Sequence, residues 1–269
     1  MNKIFGFIGT GNMGGALARA AGKVLPAGQL LLSDSYGPVA EALAEELGCK
    51  AVSVDTVAAE AGFIWLGVKP QVMAGMLAGI APALSARKDG FVLVSMAAGL
   101  SIADIRRLAG GDYPVIRIMP NIPVKVGCGV ILYDASENVS AEVLDTFLQS
   151  MSKAGLVDRL PEHLMDAGSA LSGCGPAFVS LFIEALADGG VTVGLPRAKA
   201  MLYAAQMLEG TARLMIETGQ HPGAMKDAVC SPGGSTIAGV HALEQGAFRA
   251  AAMNAVIAAD RRNKELGKQ

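Results

Sequence analysis

The sequence predicts an α/β protein in two parts: a parallel-sheet domain in residues 1–158 and an all-helical domain in residues 159–269. In the first part, short runs rich in β-branched and aromatic residues alternate with helical patterns, as the crossovers of a parallel sheet require. From about Pro161 these runs give way to long stretches of Ala, Leu and Met with helical periodicity. The chain of 269 residues is long enough for two domains that each bury a core.

Seven short, mainly apolar runs predict the strands, and three longer segments predict helices between and after them. The strands are predicted at Ile4–Ile8, Leu30–Ser33, Ala51–Val54, Phe63–Val68, Phe91–Ser95, Val115–Met119 and Val130–Tyr133. The helices are predicted at Asn12–Val24, Val39–Leu47 and Ala141–Ala154. Gly48 directly follows the second helix, at a position where glycine favours helix termination.

Glycine and proline set the predicted helix ends in the second part of the chain. The breaks fall at Gly189-Gly190, Gly194-Leu195-Pro196 and Gly219. The helices are predicted at Leu164–Leu171, Ala177–Val193, Pro196–Thr218, His221–Ala228, Ser235–Gln245 and Phe248 to about Leu266.

The composition is unusually apolar for a soluble monomer. Hydrophobic residues make up 52% of the chain, charged residues only 17%, and the mean hydropathy is +0.42. No uninterrupted apolar run approaches the roughly 20 residues of a membrane-spanning helix, and the most apolar segment, Pro176–Leu186, is short and contains Glu184. We therefore expect no membrane partner, and expect the excess apolar surface to be buried in a homodimer formed through the helical domain.

Charge and cysteine usage argue against several other classes of function. The net charge of −2 gives no electrostatic reason to expect nucleic acid or an anionic membrane as a partner. Cys49, Cys128, Cys174 and Cys230 lie far apart, and together with the three histidines they show no metal-ligand spacing. We expect a cytoplasmic protein with reduced thiols and no metal.

A glycine-rich turn predicts a dinucleotide site at the start of the sheet. Gly9-Thr10-Gly11-Asn12-Met13-Gly14 follows the first predicted strand and opens the first helix. Gly9 permits the tight turn, Gly11 lets the backbone approach a pyrophosphate, and Gly14 lets the helix pack against the strand. The alternative is a glycine-rich turn without a ligand, but here the motif opens a complete strand–helix–strand unit. It indicates a Rossmann-type domain that binds NADPH or NADH.

Asp34 bears on the choice between these two nucleotides, because it ends the second strand 20 residues beyond Gly14. An acid at this point can accept hydrogen bonds from the adenosine ribose, and no arginine stands beside it to neutralise a 2′-phosphate, which slightly favours NADH. Two alternatives stay open. Ser33 and Ser35 can hydrogen-bond the 2′-phosphate of NADPH, and Ser33-Asp34-Ser35 is also a sequence typical of an ordinary turn.

Three further segments end strands or follow them, at the edge where ligands bind to such sheets. They are Gly67–Gln71, Ser95–Gly99 and Arg117–Pro123. The small side chains of Ala97 and Ala98 allow a flat nicotinamide ring to lie close to the backbone. A plain strand-to-helix loop explains any one of these segments, but the three together favour a nucleotide site.

A second anion site is predicted in the run Asp227–Gly239, which reads DAVCSPGGSTIAG. Here Pro232, Gly233 and Gly234 directly precede residues that can start a helix. The first amides of a helix lack partners and carry partial positive charge, and glycines leave them open to a small carboxylate. Ser235 and Thr236 add hydroxyl groups. One site for a cofactor and one for a carboxylate together indicate a dehydrogenase or reductase.

Several motifs resemble those of the Δ1-pyrroline-5-carboxylate reductase family, which catalyses the last step of proline biosynthesis. They are Val68-Lys69-Pro70-Gln71, Met119-Pro120-Asn121, Leu171–Ala177 and, the most specific, Asp227–Thr236. The resemblance runs nearly end to end. It implies a Rossmann domain, a helical dimerisation domain, an active site completed by the partner subunit, and room for a decamer built from dimers. Family members use NADPH, NADH or both and often favour NADPH. This tendency disagrees with the interpretation that Asp34 favours NADH.

The resemblance also implies two sets of site residues. The nucleotide-binding set is Gly9, Thr10, Gly11, Asn12, Met13, Val68, Lys69, Pro70, Ala97 and Ala98, with Asn121 close by and Asp34 added from its local chemistry. The substrate-binding set, which holds the carboxylate and the ring nitrogen, is Gly233, Gly234, Ser235 and Thr236. Thr236 is the predicted catalytic residue, hydrogen-bonded to the ring nitrogen and relaying a proton from water; the alternative is a helix N-cap.

Two other functions compete with imine reduction. β-Hydroxyacid dehydrogenases share the Gly-x-Gly-x-Met-Gly opening and a helical second half, but they use a lysine on the first long helix after the sheet, and residues 166–196 contain none. A nucleotide-sensing protein without turnover fits the sheet domain but has no need of a carboxylate site at residues 233–236. The sequence therefore predicts NAD(P)H-dependent reduction of Δ1-pyrroline-5-carboxylate to L-proline.

Overall fold

The computed structural model describes residues 3–266, and its N-terminal part is built on one eight-stranded sheet. The strands are β1 (Phe5–Ile8), β2 (Leu30–Ser33), β3 (Lys50–Ala51), β4 (Phe63–Leu66), β5 (Val92–Ser95), β6 (Val115–Pro120), β7 (Gly129–Ala135) and β8 (Gly155–Arg159). Their order across the sheet is β3-β2-β1-β4-β5-β6-β7-β8. Neighbouring strands are parallel except β6 and β7, which are antiparallel.

Helices connect the strands and then form the C-terminal part. Those associated with the sheet are α1 (Asn12–Gly22), α2 (Gly37–Leu47), α3 (Val54–Glu60), α4 (Pro70–Ala86), α5 (Ile102–Ala109) and α6 (Ala141–Ser150). Those that follow are α7 (Met165–Gly168), α8 (Gly175–Thr192), α9 (Arg197–Thr218), α10 (Pro222–Ala228), α11 (Ser235–Gln245) and α12 (Phe248–Leu266). Shorter turns are the 3-10 segments Ala27–Gln29, Ile122–Val126 and Glu162–Leu164 and the π-helical turn Ser169–Gly173.

The sheet has a hydrophobic core on each face. One core contains Phe7, Leu17, Trp65 and Phe147, so it lies under α1 and α6, and Phe7 stacks on Trp65 with ring centroids 5.0 Å apart. The other core, under α3, α4 and α5, includes Ile64. Every residue of β1, β2, β4 and β5 is buried, which explains why these strands are apolar without alternation. The carboxyl ends of the strands are therefore held by packing on both faces.

The predicted fold class, a parallel sheet followed by helices, is confirmed, but one strand is reversed, and the sequence analysis gives no bounds for β8, α3, α4 and α5. The third strand, predicted at Ala51–Val54, lies at Lys50–Ala51, because Ser53 caps α3 and Val54 begins that helix. β7 extends the sheet as predicted but runs antiparallel to β6, because only the short Ile122–Val126 turn connects the two strands and a parallel crossover needs more chain. β8 escapes sequence analysis because it is an edge strand whose residues are mostly exposed, so it lacks a buried apolar run.

The chain divides in space into two compact units, one of residues 3–174 with 259–266 and the other of residues 175–258. The domain boundary predicted from the sequence lies between residues 158 and 159. In space, however, residues 159–174 group with the sheet. Met165 is fully buried in a small core with Met119 and Leu132, and Asn263 Nδ2 donates to the Asp166 carbonyl at 3.1 Å. These contacts attach the start and the end of the helical part to the sheet.

Glu162–Thr192 is a 31-residue helical stretch whose most apolar 18-residue window has a mean hydropathy of 1.5, and it is the one helix among residues 3–266 that is long and apolar enough to cross a membrane. The stretch is not an uninterrupted apolar run, because Glu162 and Asp166 also lie within it, so the expectation that no such run approaches roughly 20 residues is unchanged. One helix of this kind is weak evidence for a membrane span, and it carries Glu184 and Asp188 along its length. Only 11% of its most apolar window is buried within the chain.

Candidate active site

The glycine-rich loop after β1 is packed too closely for side chains at two positions. A Cβ on Gly14 would lie 1.9 Å from the carbonyl oxygen of Gly9, and a Cβ on Gly67 would lie 2.4 Å from the same atom. Gly9 itself has φ +88°, a left-handed conformation that favours glycine. By contrast, a Cβ on Gly11 would meet no protein atom within 4 Å. Gly11 therefore faces open space, as a backbone that receives a pyrophosphate requires.

Helix α1 begins with its amides free of any side-chain cap. Its N-cap is Gly11, and no side chain accepts a hydrogen bond from its first turn. Elsewhere in the sheet region, Ser53, Ser101 and Ser140 cap α3, α5 and α6 with their hydroxyls. Because the first amides of α1 carry partial positive charge, this helix start fits the phosphates of a dinucleotide.

Asp34 anchors the glycine-rich loop. One oxygen of its carboxylate accepts hydrogen bonds from the Thr10 amide at 2.7 Å and the Thr10 hydroxyl at 3.3 Å, and the other accepts from the Tyr36 amide at 3.0 Å. Sequence analysis missed the bond to Thr10, since its partners are 24 residues apart and no local pattern records the contact. The predicted ribose contact of Asp34 stays a prediction.

The remaining predicted nucleotide residues follow neighbouring parallel strands. Lys69 is the N-cap of α4 and is exposed, with Pro70 in the first turn, while Val68 is half-buried after β4. Ala97 is buried and Ala98 is exposed in the loop after β5. Since β1, β4 and β5 are adjacent and parallel, their loops lie at one edge of the sheet. Direct contacts of these residues with a nucleotide stay predictions.

Asn121, at the end of β6, is 7% exposed and uses its side chain inside the protein. Its Nδ2 donates to the Ser172 carbonyl at 2.9 Å, and its Oδ1 accepts from the Val130 amide at 2.8 Å. The side chain therefore joins β7 to the π-helical turn. This arrangement favours a role in holding the loop, and the predicted proximity to the nucleotide remains a prediction.

The predicted substrate residues form the start of α11. Its N-cap is Gly234, no side chain caps it, and Gly233 has φ +69°. The left-handed φ of Gly233 favours glycine there, and a Cβ on Gly234 would lie 2.5 Å from the Ser231 hydroxyl and 3.1 Å from the Ser231 carbonyl oxygen. The structure thus repeats at α11 the uncapped, glycine-led helix start found at α1.

Thr236 is the second residue of α11 and is exposed, so the alternative interpretation of Thr236 as the N-cap is wrong. Within residues 3–266 its hydroxyl has no hydrogen-bond partner. Ser235, the first residue of the helix, is exposed as well. The hydroxyl of Thr236 is free to meet a ligand held by the preceding amides.

A cation that sequence analysis missed lies in the same compact unit. Lys226, Gly233, Gly234 and His241 line an open cleft of about 560 Å³. The Lys226 ammonium pairs with Asp227 at 2.6 Å, and this hydrogen bond raises the pKa of Lys226. The signal in the sequence is a lysine directly before the Asp227–Gly239 run.

The sequence has extensive similarity to known proteins. Residues 162–266 match the family model described as pyrroline-5-carboxylate reductase dimerisation, and residues 4–99 match that described as NADP oxidoreductase coenzyme F420-dependent. The pyrroline-5-carboxylate reductases of Methanosarcina acetivorans and Escherichia coli are each 40% identical, over 100% of this chain and at least 99% of theirs. The chain belongs to the pyrroline-5-carboxylate reductase family. The resemblance noted in the sequence is therefore confirmed.

A solved structure of the same family agrees in fold along the whole chain. The crystal structure of Plasmodium falciparum pyrroline carboxylate reductase with NADP bound superposes with a TM-score of 0.87 at 31% identity, covering 99% of this chain and 98% of that one. The match to the reductase dimerisation model includes all of the apolar Glu162–Thr192 stretch. The chain thus oligomerises through its C-terminal helical part, as its composition predicts, and this accounts for the exposed apolar helix.

Proposed function

We propose that this protein reduces Δ1-pyrroline-5-carboxylate to L-proline with NADPH or NADH, the last step of proline biosynthesis. The observation that carries the proposal is the start of α11, where uncapped amides after Gly233 and Gly234 stand beside the free hydroxyl of Thr236. It occurs in a chain that is 40% identical, end to end, to reductases of that name. The amides fit a carboxylate, and the hydroxyl fits the adjoining ring nitrogen.

The chemistry requires little beyond orientation. When bound, the reduced nicotinamide supplies a hydride to the carbon of the C=N bond, and the nitrogen takes up a proton. The α11 amides fix the carboxylate and thereby decide which carbon of the ring is presented. Orientation of this kind lowers a barrier by up to about 7–11 kcal/mol in favourable cases. The Thr236 hydroxyl, a poor acid by itself, orients the ring nitrogen and passes on a proton from water.

Thr236→Ala is expected to lower kcat about 10- to 100-fold, at the weak end of the effect of a proton-transferring side chain. The fold is expected to persist, because this exposed hydroxyl makes no bond within the described residues. The measurement is the absorbance of NAD(P)H with pyrroline-5-carboxylate. Thr236→Ser, which keeps a hydroxyl, is the matched control and retains most of the activity. Equal rates for wild type and the alanine variant would remove Thr236 from the reaction.

The same assay tests the proposed function itself. Wild-type protein is expected to consume NADPH or NADH with the cyclic imine and to leave small β-hydroxyacids unoxidised with NADP⁺ or NAD⁺. Oxidation of a hydroxyacid without any reduction of the imine would replace the proposal with a β-hydroxyacid dehydrogenase. Nucleotide binding without turnover of either substrate would indicate that the protein is a nucleotide sensor and not an enzyme of either class.

Asp34→Asn is expected to shift the ratio of kcat/KM for NADPH over NADH about fivefold towards NADPH. The amide keeps an oxygen for the Thr10 bond but removes a charge that would repel a 2′-phosphate, an effect of about 1 kcal/mol for solvated charges. The ratio is measured by parallel kinetics with the two nucleotides. Equal losses with both would assign Asp34 only the loop-anchoring role.

The proposed assembly is a homodimer through the helical part, with each active site completed by residues of the partner subunit. A decamer built from such dimers is the larger assembly proposed by analogy with the family, and sedimentation velocity distinguishes the two. The proposed location is the cytoplasm, where the reduced nucleotides and the free thiols of this chain are stable.

A further inference from the structure

Glu162 links the start of the helical part to the loop that follows β5. One oxygen of its carboxylate accepts a hydrogen bond from the Ile102 amide at 2.7 Å and another from Arg117 Nη1 at 3.0 Å. Its own amide donates to Asp134 at 2.8 Å. Ile102 and Glu162 are 60 residues apart, so this bond is a tertiary contact and not a turn.

The Ile102 amide belongs to the first turn of α5, and Glu162 completes the capping of that turn. Ser101 and Asp104 form a capping box, in which each side chain accepts a hydrogen bond from the other's backbone amide. The hydrogen bond from the Ser101 hydroxyl lowers the pKa of Asp104, so this carboxyl stays charged. The box leaves the Ile102 amide without a partner, and Glu162 supplies one from elsewhere in the fold. A carboxylate is also the favoured charge at a helix N-terminus.

Arg117 makes the charge of Glu162 necessary. Its side chain is only 7% exposed, its Nη2 is 4.0 Å from Asp166, and its Nε has no partner among the described residues. Within the sheet it lies opposite Ser95, the last residue of β5. A buried cation that loses its anion is strongly destabilised locally, so Arg117 and Glu162 hold each other in place.

The loop between β5 and α5, residues 96–101, is thus fixed at both ends. At its beginning the Ala97 amide lies 3.4 Å from the buried Ser95 hydroxyl, and at its end Glu162 holds Ile102. This loop carries Ala97 and Ala98, whose backbone is the predicted support of the nicotinamide ring. We propose that Glu162, through Arg117 and the Ile102 amide, is a positioning residue that sets this loop for hydride transfer. The proposal rests on the proposed function, because the loop matters only if a nicotinamide reacts beside it.

Glu162→Gln tests the proposal, since glutamine keeps an oxygen for the Ile102 amide but withdraws the charge that holds Arg117. We expect kcat to fall about 10- to 100-fold, as for a misplacement of about 1 Å, with KM for the imine changed less than twofold. Amide hydrogen exchange in residues 96–102, measured without nucleotide, is expected to become faster. The matched control is Glu137→Gln, which removes a carboxylate 3.0 Å from Arg106 on the same helix α5 but at an exposed position. It is expected to change neither quantity.

A second pair of variants removes the same hydrogen bond by changing Ile102 in place of Glu162. This test remains informative even if Glu162→Gln fails to fold. Ile102→Pro removes the N–H that donates to the Glu162 carboxylate. Proline suits this position, because it is in the first turn of α5 and follows Ser101, whose backbone is extended. Ile102→Ala keeps the N–H and loses only side-chain packing. The proline variant is expected to show the lower kcat and the faster exchange.

Each result decides a separate question. Wild-type kcat and wild-type exchange in Glu162→Gln would overturn the positioning role, as would lower thermal stability with both quantities unchanged. Absence of any imine reduction by the wild-type protein would instead overturn the proposed function, and the exchange measurement would still report whether Glu162 holds the loop.

Discussion

Gly11→Ala is expected to weaken NAD(P)H binding about a hundredfold while leaving the free energy of unfolding at its wild-type value. A methyl group at this position would meet no protein atom within 4 Å, so the folded chain accommodates it without movement. The same methyl group would stand between the backbone and the pyrophosphate, where close approach of the amides is required. A hundredfold loss corresponds to about 2.7 kcal/mol of binding free energy.

Gly14→Ala provides the contrast, because its methyl group would lie 1.9 Å from the Gly9 carbonyl oxygen. The backbone of the loop must move, so we expect a loss of about 1–3 kcal/mol in unfolding free energy together with the loss of nucleotide affinity. Trp65 is the only tryptophan in the chain and lies on β4 beside this loop, so its fluorescence can follow both unfolding and nucleotide titration. Destabilisation by Gly11→Ala, or full nucleotide affinity in that variant, would refute the assignment of the open face to the pyrophosphate.

The sequence predicts well those features that are encoded locally. β2, α11 and α12 have the predicted bounds, because a buried apolar run or a glycine-led helix start is visible in a few adjacent residues. The glycine turn after β1 has the predicted strand–turn–helix context for the same reason. The uncapped starts of α1 and α11 follow from glycines at the N-cap, where α3, α5 and α6 have serine.

Contacts between distant residues escape sequence analysis. The bond of Asp34 to Thr10 joins residues 24 apart and that of Glu162 to Ile102 joins residues 60 apart, so no local pattern in the sequence records either contact. Glu162 in particular reads as a solvated turn residue until β6 brings Arg117 beside it. Side-chain hydrogen bonds of this kind have no periodicity, and only the assembled sheet shows which atoms they join.

Oligomer formation explains the apolar character of the helical part better than a membrane does. The large apolar residues of the second compact unit include Leu181, Leu202, Ile216 and Met253, and each is more than half exposed in the single chain. Acidic residues remain among them, as at Glu184 and Asp188 on α8. Because the dimerisation family model covers these helices, their exposed faces are where a second copy of the chain packs.

Leu181→Glu is therefore expected to dissociate the oligomer and to abolish most of the activity. Leu181 lies on α8 and is 68% exposed in the single chain, so the substitution removes little packing within the subunit. In a symmetric interface it would bury two unpaired carboxylates, and an uncompensated buried charge costs about 3–5 kcal/mol. At 1.4 kcal/mol for each factor of ten, the dissociation constant rises at least a hundredfold. Sedimentation velocity measures the dissociation, and the imine assay measures the activity.

Leu156→Glu is the matched control, since Leu156 is a leucine of similar exposure, 60%, on the edge strand β8 of the sheet unit. It adds the same charge to a surface outside the helical part, so the oligomer and the imine reduction are expected to persist. If the subunits released by Leu181→Glu retained full activity at concentrations where they stay monomeric, each active site would be complete within one chain. The proposal that the partner subunit completes it would then fail, while the reductase activity would stand.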